Sequence, residues 1–260
     1  MGSSNSIRFS AIVITYNEEK KIGNCLDSLV NVADEIIVVD SYSTDRTIEI
    51  CKSKGAKVIS QQFLGYANQK NFGIQEAKFD YIISLDADEV LSPELINSIK
   101  YISPTSFLSA YEVNRLTNYC GRWIKHGGWY PDPKIRIWKK GNAKWVGDGV
   151  HETLELADNT KIVKLKGDLL HFTTDTISQH IDQIQKFTTL AANELHRQGK
   201  KVSIAKILFN SWFKFTRDYV FRLGFLDGFY GFVVAFNSAF ATYLKYLKLY
   251  NLNKSDEKKS

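Results

Sequence analysis

The sequence predicts an α/β fold, with a mostly parallel sheet sandwiched by helices, on three observations. Strand-like and helix-like segments alternate from residue 9 to residue 90. The strand-like segments are continuous apolar runs rich in Ile and Val, the pattern of strands buried on both faces. Polar and acidic residues follow those runs, where an open α/β sheet gathers its ligands. Phe9–Thr15 (FSAIVIT) reads as the first strand, and Glu18–Val30, with Ile22, Cys25, Leu26 and Leu29 at helical spacing, as the first helix. Glu35–Val39 reads as the second strand and Thr44–Lys54 as the second helix, with Ile48, Ile50 and Cys51 as its apolar positions. A short strand over Lys57–Ser60, a helix over Asn68–Ala77 and an apolar strand over Tyr81–Leu85 complete the alternation.

The middle of the chain is less regular. Ser109–Arg115 and Lys134–Trp138 read as strands, separated by Cys120–Pro133, whose Gly, Trp, Tyr and Pro content suggests a structured binding loop. Lys161–Phe172 resumes strand-like alternation, and Thr176–His196 reads as a helix. From Val202 onward, Ile204, Ile207, Leu208, Trp212 and Phe215 recur at helical spacing among Lys206, Lys214, Arg217 and Arg222. The uncharged stretch Gly228–Leu244 is 17 residues long and contains two glycines and Asn237, the lower limit for a membrane span.

With 260 residues, 44% of them hydrophobic, the chain can bury a sizeable core, which excludes disordered, collagen-like and low-complexity classes. Its three cysteines are too scattered for a disulfide framework or a metal finger, so a reducing cytosolic compartment is expected. No secretory signal opens the sequence. Met1-Gly2-Ser3-Ser4-Asn5-Ser6 formally fits a myristoylation pattern, although a disordered start over residues 1–8 is the simpler reading. The net charge of +6 is unevenly spread: residues 193–260 hold 12 Lys/Arg against 5 Asp/Glu, and residues 1–192 hold 22 against 23. The last quarter therefore has a different partner from the rest.

Asp86-Ala87-Asp88, at the end of an apolar strand, is the central chemical feature. Carboxylates at i and i+2 beyond a strand end can share one hard divalent cation, Mg2+ or Mn2+, with positions left open for diphosphate oxygens. Alone, such a pair is common on solvated loops. Here it follows a strand ending in Thr-Tyr-Asn-Glu-Glu and another ending in Val-Asp-Ser-Tyr-Ser-Thr-Asp. This order of motifs over residues 9–100 resembles the family 2 glycosyltransferases, which have a GT-A (Rossmann-like) nucleotide-sugar-binding fold. The resemblance implies that Thr15, Asn17 and Glu18 line the nucleotide pocket and that Asp40 accepts hydrogen bonds from uracil or ribose. It also implies that Asp86 lies near the ribose and diphosphate and that Asp88 is the direct metal ligand. Lys70, in Asn68-Gln69-Lys70-Asn71, resembles the basic position that contacts the diphosphate. Asp40 and Asp45 could equally be Asx-turn or helix-capping residues, and Lys70 a solvated charge.

An inverting transfer also needs a base for the acceptor hydroxyl. Asp132 in WYPDP and Glu152 in GVHE are the two candidates, and Glu152 is preferred because His151 could orient it and glycines flank the turn. Prolines on both sides make Asp132 a plausible turn residue. The stretch Trp129–Glu152 resembles the lipopolysaccharide inner-core glucosyltransferase subgroup. In the wider family a histidine in the position of His171 often adds a ligand to the metal, although a histidine ending a strand is also a common core residue. Trp123, Trp129, Tyr130 and Trp145 could stack on sugars or simply pack in a core.

The resemblance thus implies an inverting, metal-dependent hexosyltransferase acting from a UDP-sugar, with glucose the first donor to try, on a lipid-linked saccharide acceptor. Arg222–Gly228 resembles the same subgroup, whose members are peripheral enzymes of the inner membrane, so the basic C-terminal part is expected to meet an anionic membrane surface from the cytoplasmic side. A helical hairpin packed on the rest of the chain is the alternative. Nucleic acid is not expected, since no binding motif accompanies the basic stretch. The domain reading is a disordered start (1–8), a catalytic domain (9–198), a basic aromatic helical extension (199–252) and a charged tail (253–260). Within the catalytic domain, 9–100 is the nucleotide-sugar half and 101–175 the acceptor half. Two rivals remain: a non-catalytic carbohydrate- or membrane-binding protein on the same scaffold, and a sugar nucleotidyltransferase. The second is disfavoured by the acidic Tyr16-Asn17-Glu18-Glu19 where a basic glycine-rich loop is needed.

Overall fold

The computed structural model describes residues 7–102, 109–147 and 152–257. The expected disordered start and His151 fall wholly or mostly outside these residues. The chain forms two compact units, one of residues 1–115 and 132–171 and the other of 116–131 and 172–260. The division falls inside two strands, rather than at residue 198.

The first unit has the expected α/β alternation: β1 (Phe9–Thr15), α1 (Ile22–Leu29), β2 (Glu35–Asp40), α2 (Thr47–Ser53), β3 (Lys57–Ser60), α3 (Tyr66–Gln75) and β4 (Tyr81–Asp86). β5 (Glu89–Leu91), α4 (Pro93–Lys100) and β6 (Ser109–Tyr119) follow, then β7 (Arg122–Ile124), β8 (Pro133–Lys139), β9 (Ala143–Val146), β10 (Thr153–Leu156) and β11 (Lys161–Thr174). The main sheet runs β3-β2-β1-β4-β8-β6-β11-β5, with β7 paired to β6, while β9 and β10 form a separate hairpin. β3, β2, β1 and β4 are parallel, and β8 joins β4 antiparallel.

Both faces of β1, β2 and β4 are buried, which explains their unbroken apolar runs, while β3 at the edge is half-exposed. Ala11, Val13, Val38, Ile83 and Leu85 pack with Ile22, Leu26 and Leu29 of α1 and Leu95 of α4 on one face. Ile12, Ile14, Ile37, Val39 and Ile82 meet Ala67 and Ile74 of α3 on the other. Several expected boundaries shift for local reasons. The first helix starts at Ile22 rather than Glu18: the Glu18 carbonyl accepts the first helical bond, from the Ile22 amide at 2.9 Å, while the Glu18 and Glu19 amides donate to Thr47 Oγ1 (2.8 Å) and Asp45 Oδ2 (3.2 Å) across the loop. The second starts at Thr47 rather than Thr44, whose amide donates to Asn17 Oδ1 at 2.8 Å. α4 went unread, although Ser92 caps it by accepting from the Leu95 amide at 3.2 Å and Pro93 opens it.

The second unit contains the β6–β7 hairpin end, α5 (Ile177–Arg197), α6 (Ile204–Thr216), a π-helical stretch Arg217–Phe221, a 3-10 turn Gly224–Asp227 and α7 (Gly228–Glu257). The expected binding loop Cys120–Pro133 thus includes a strand. Tyr119, Ile124 and Val234 form the unit's core, with Trp129 and Tyr230 against it. Buried Asn237 lies 3.3 Å from His180 Nδ1, which is 3.0 Å from the Tyr119 hydroxyl. The charged tail expected from residue 253 is helical as far as Glu257, because Asn253 and Asp256 each contact His196 of α5 at 3.1 Å.

Gly73 lets α3 approach the sheet. A Cβ there would collide with Ile12 Cγ2 and come within 2.9 Å of Val39 Cγ2, both on short β-branched side chains. Gly73→Ala is therefore expected to lower the unfolding free energy by about 1–3 kcal/mol, read from the urea midpoint, despite alanine's better helix propensity.

Candidate active site

The parallel register aligns the first site residues. Thr15 pairs with Asp40, and Ile14 with Asp86, so the carboxyl ends of β2, β1 and β4 lie side by side. Asp40 is fully buried; its Oδ2 accepts from the Ser43 amide at 2.9 Å in an Asx turn, whereas Oδ1 has no hydrogen-bond partner. The neighbouring Thr15 hydroxyl is likewise buried and unpartnered. Buried polar atoms without partners are costly in a finished fold and suit a site that a ligand completes. Asn17, at φ +54°, holds this rim together through the Thr44 amide. Asp45 does so too, accepting from the Thr47 amide at 3.0 Å, so it acts as a turn residue.

Three consecutive residues of α3 attach it to the rest of the unit. Gln69 Nε2 donates to Ser41 Oγ at 2.9 Å beyond β2. The Asn71 amide group bonds the Trp145 backbone in both directions, at 2.7 and 3.1 Å, fixing β9. Between them, Lys70 points into the site, only 2% exposed. Its Nζ lies 2.9 Å from Asp86 Oδ1, 2.5 Å from Glu152 Oε1 and 4.4 Å from the centroid of a Trp145 ring. Lys70 is thus no solvated charge.

A second buried cation sits beside it. Arg136, on β8, grips Glu89 with Nη2 at 2.6 Å and Nε at 3.1 Å and reaches Asp86 Oδ2 at 3.4 Å. Glu89 is fully buried and also accepts from the Asp86 amide at 3.1 Å. Burial alone would raise the Asp86 carboxyl, but Lys70 and Arg136 outweigh it and hold the group well below the usual carboxylate range. Burial would likewise favour a neutral Arg136, yet Glu89, Asp86 and Glu152 push it above its ordinary value.

The two candidate bases are held differently. Asp132 has both oxygens engaged, Oδ2 by Arg115 at 2.8 Å and Oδ1 by Lys134 at 2.8 Å. Glu152 uses Oε1 on Lys70, while its Oε2 is buried with no hydrogen-bond partner. The structure therefore brings Asp86, Lys70 and Glu152 together and joins Asp132 to the periphery through Arg115, which stands 3.7 Å from Glu89. Asp88 Oδ2 lies 3.3 Å from His171 Nε2, and β11 sets His171 opposite Glu89 of β5. Among the described residues no three His, Cys, Asp or Glu side chains cluster as a complete metal cage. One carboxylate and one imidazole fit a Mg2+ or Mn2+ ion that takes its other ligands from diphosphate and water. Trp145 is in the site, whereas Trp123, Trp129 and Tyr130 belong to the second unit, where Trp129 packs on Tyr119. Glu89, Arg136 and Arg115 were missed from sequence. The available signals were a third acid directly after Asp86-Ala87-Asp88 and a lone arginine at the centre of KIRIW.

The glycosyl transferase family 2 model matches residues 10–102. Over 258 residues the chain is 34% identical to an uncharacterized glycosyltransferase of Rickettsia typhi, spanning 95% of this chain and 88% of that one. It is 28% identical over 249 residues to the lipopolysaccharide core biosynthesis glycosyltransferase LpsC of Rhizobium meliloti, spanning 93% and 91% of the two chains. The crystal structure of S. aureus TarS aligns over 84% of this chain and 45% of its own, with a TM-score of 0.46 and 16% identity.

Arg136→Met removes the two bonds that neutralise fully buried Glu89. The variant should lose roughly 3–5 kcal/mol of stability in urea unfolding, whereas Lys134→Ala at the half-buried edge should stay within about 0.5 kcal/mol of the parent.

Proposed function

The chain belongs to glycosyl transferase family 2 and is a glycosyltransferase; on that premise we propose that it inverts the anomeric centre of a UDP-sugar, glucose being the first to try, onto a lipid-linked saccharide. The carrying observation is the buried contact of Lys70 with both Asp86 and Glu152. It joins the nucleotide side of the site to the preferred base through one cation. Likeness to a lipopolysaccharide-core enzyme over nearly the whole chain supports the acceptor class. The free thiols of Cys25, Cys51 and Cys120 fit the reducing cytoplasmic side.

In this reading the open oxygen of Asp40 accepts a hydrogen bond from the uracil or ribose. Asp86 orients the ribose and diphosphate, and Lys70 donates to diphosphate oxygens. Asp88 and His171 would hold Mg2+ or Mn2+, which when bound neutralises charge developing on the departing UDP. Glu152 takes the acceptor proton as the new carbon–oxygen bond forms and the bond to the diphosphate breaks. Diphosphate oxygens compete with Glu152 for Lys70, so donor binding frees the base. Glu152 is preferred over Asp132 because two cations already hold the latter's oxygens.

With Mn2+ and a panel of UDP-sugars, the protein should release UDP in the presence of a saccharide acceptor. Glu152→Gln should lower kcat by about 10²–10⁴-fold with UDP binding retained, and Asp132→Asn should do much less. Asp88→Ala should abolish metal-dependent turnover. If the parent protein neither binds nor turns over any nucleotide sugar with metal, the reading fails. If Asp88→Ala keeps saccharide binding and the parent has no turnover, the protein is a binding module.

A further inference from the structure

The turn that follows β2 carries a tyrosine where its backbone suits a glycine. Asp40 Oδ2 accepts from the Ser43 amide at 2.9 Å, and the resulting turn has Tyr42 at its tip. Tyr42 is left-handed there, at φ +63°. Glycine takes that conformation freely, whereas the Cβ of a bulky side chain strains it. The side chain offers no compensation. Its ring is 61% exposed and makes no hydrogen bond, ion pair or ring contact among the described residues.

The turn is also held from both sides. The Ser41 amide donates to the Thr15 carbonyl at 3.0 Å, continuing the ladder of β1 and β2 past their ends. Beyond Tyr42, Ser43 Oγ accepts from the Asn17 amide at 2.8 Å, and the Thr44 amide donates to Asn17 Oδ1 at 2.8 Å. These bonds fix the strained residue in place and leave its ring in solvent. Strain of that kind, maintained by its surroundings and unused by the fold, is found where a chain meets a ligand.

The atoms at the base of the turn indicate which ligand. Asp40 and Thr15 are 0% and 5% exposed, yet Asp40 Oδ1 and the Thr15 hydroxyl have no hydrogen-bond partner. Two residues further on, the turn presents a flat aromatic face. A buried acceptor next to an exposed ring fits a planar heterocycle, which has polar edges to hydrogen-bond and flat faces to stack. Resting on the nucleotide-sugar reading above, we propose that Tyr42 is a donor-binding residue whose ring stacks on the nucleobase that Asp40 holds by its edge. The turn accepts backbone strain in order to place that ring. A glycine would fold as well there and grip the donor less.

The test compares full-length Tyr42→Gly, Tyr42→Ala and Tyr42→Phe with the parent, titrating UDP and UDP-glucose calorimetrically in Mn2+. Tyr42→Gly should keep or raise the urea midpoint, because the left-handed strain is relieved. It should nevertheless bind both nucleotides roughly 5- to 100-fold more weakly. Tyr42→Ala, which lacks the ring and keeps the strain, should show the same loss of affinity with a lower midpoint than Tyr42→Gly. Tyr42→Phe should restore most of the binding, since stacking needs the ring and not the hydroxyl. In turnover, the loss in Tyr42→Gly should fall on KM for the donor rather than on kcat. Equal UDP affinity in the parent and Tyr42→Gly overturns the proposal and leaves the nucleotide reading standing. A parent that binds neither UDP nor UDP-glucose overturns both. Weakened UDP-glucose binding with unaltered UDP binding overturns it in favour of a platform for the donor sugar. Failure of Tyr42→Phe to restore binding overturns it in favour of a hydroxyl contact. A midpoint for Tyr42→Gly well below the parent's overturns it in favour of a ring that packs in the fold.

Discussion

Two cations buried among carboxylates are the constraint on which the first unit depends. Lys70 and Arg136 are 2% and 6% exposed, and taking each charge out of water costs several kcal/mol unless opposite charge meets it. Their partners come from separate stretches: Asp86 ends β4, Glu89 opens β5 and Glu152 precedes β10. None of these is near Lys70 in sequence. The network exists only once β4 lies between β1 and β8 and once the β9–β10 hairpin is fastened to α3 through Asn71. Apolar packing brings the elements together, and the buried ions then restrict how they fit.

The same network sets the electrostatic conditions for a ligand. Four carboxylates, Asp86, Glu89, Asp132 and Glu152, face four cations, Lys70, Arg115, Lys134 and Arg136, before Asp88 is counted. A diphosphate entering so balanced a cluster would leave it strongly negative. In the proposed reading a divalent cation held by Asp88 and His171 would offset that charge, a physical reason for metal beyond the acidic pair alone. The open oxygens of Asp40, Thr15 and Glu152 are a separate sign of a ligand site, since each is a buried hydrogen-bonding atom with no partner within the described residues.

Much of this was legible in the sequence, and the division between read and unread has a physical cause. Strands buried on both faces announce themselves, so β1, β2 and β4 emerged nearly residue for residue, and the residues after them marked the candidate site. Helix starts were less legible because Glu18, Glu19 and Thr44 sit in loops held by partners far along the chain, which local composition does not show. Arg136 and Glu89 were invisible for a related reason. A strand residue's partner is set by sheet order, and nothing local in KIRIW or DADE says that β8 will lie against β4. Lys70 was read by resemblance alone; only the structure turns it from a helix-surface lysine into a buried one.

The two buried cations are chemically unlike, and the difference bears on how the site works. Arg136 uses its planar fork on Glu89 through two nitrogens, a geometry that fixes orientation and leaves little freedom. Lys70 is a point charge on a flexible stem, with three donors that can be redistributed among oxygens at little geometric cost. An arginine suits the part of the cluster that must stay put, next to a fully buried glutamate. A lysine suits the part that must exchange partners when an anion arrives. Because its ammonium already touches Glu152 Oε1, a ligand oxygen that drew Lys70 away would also take the hydrogen-bond donor from that carboxylate. In the proposed reading, donor occupancy and the freedom of the Glu152 carboxylate would thereby be coupled through one side chain.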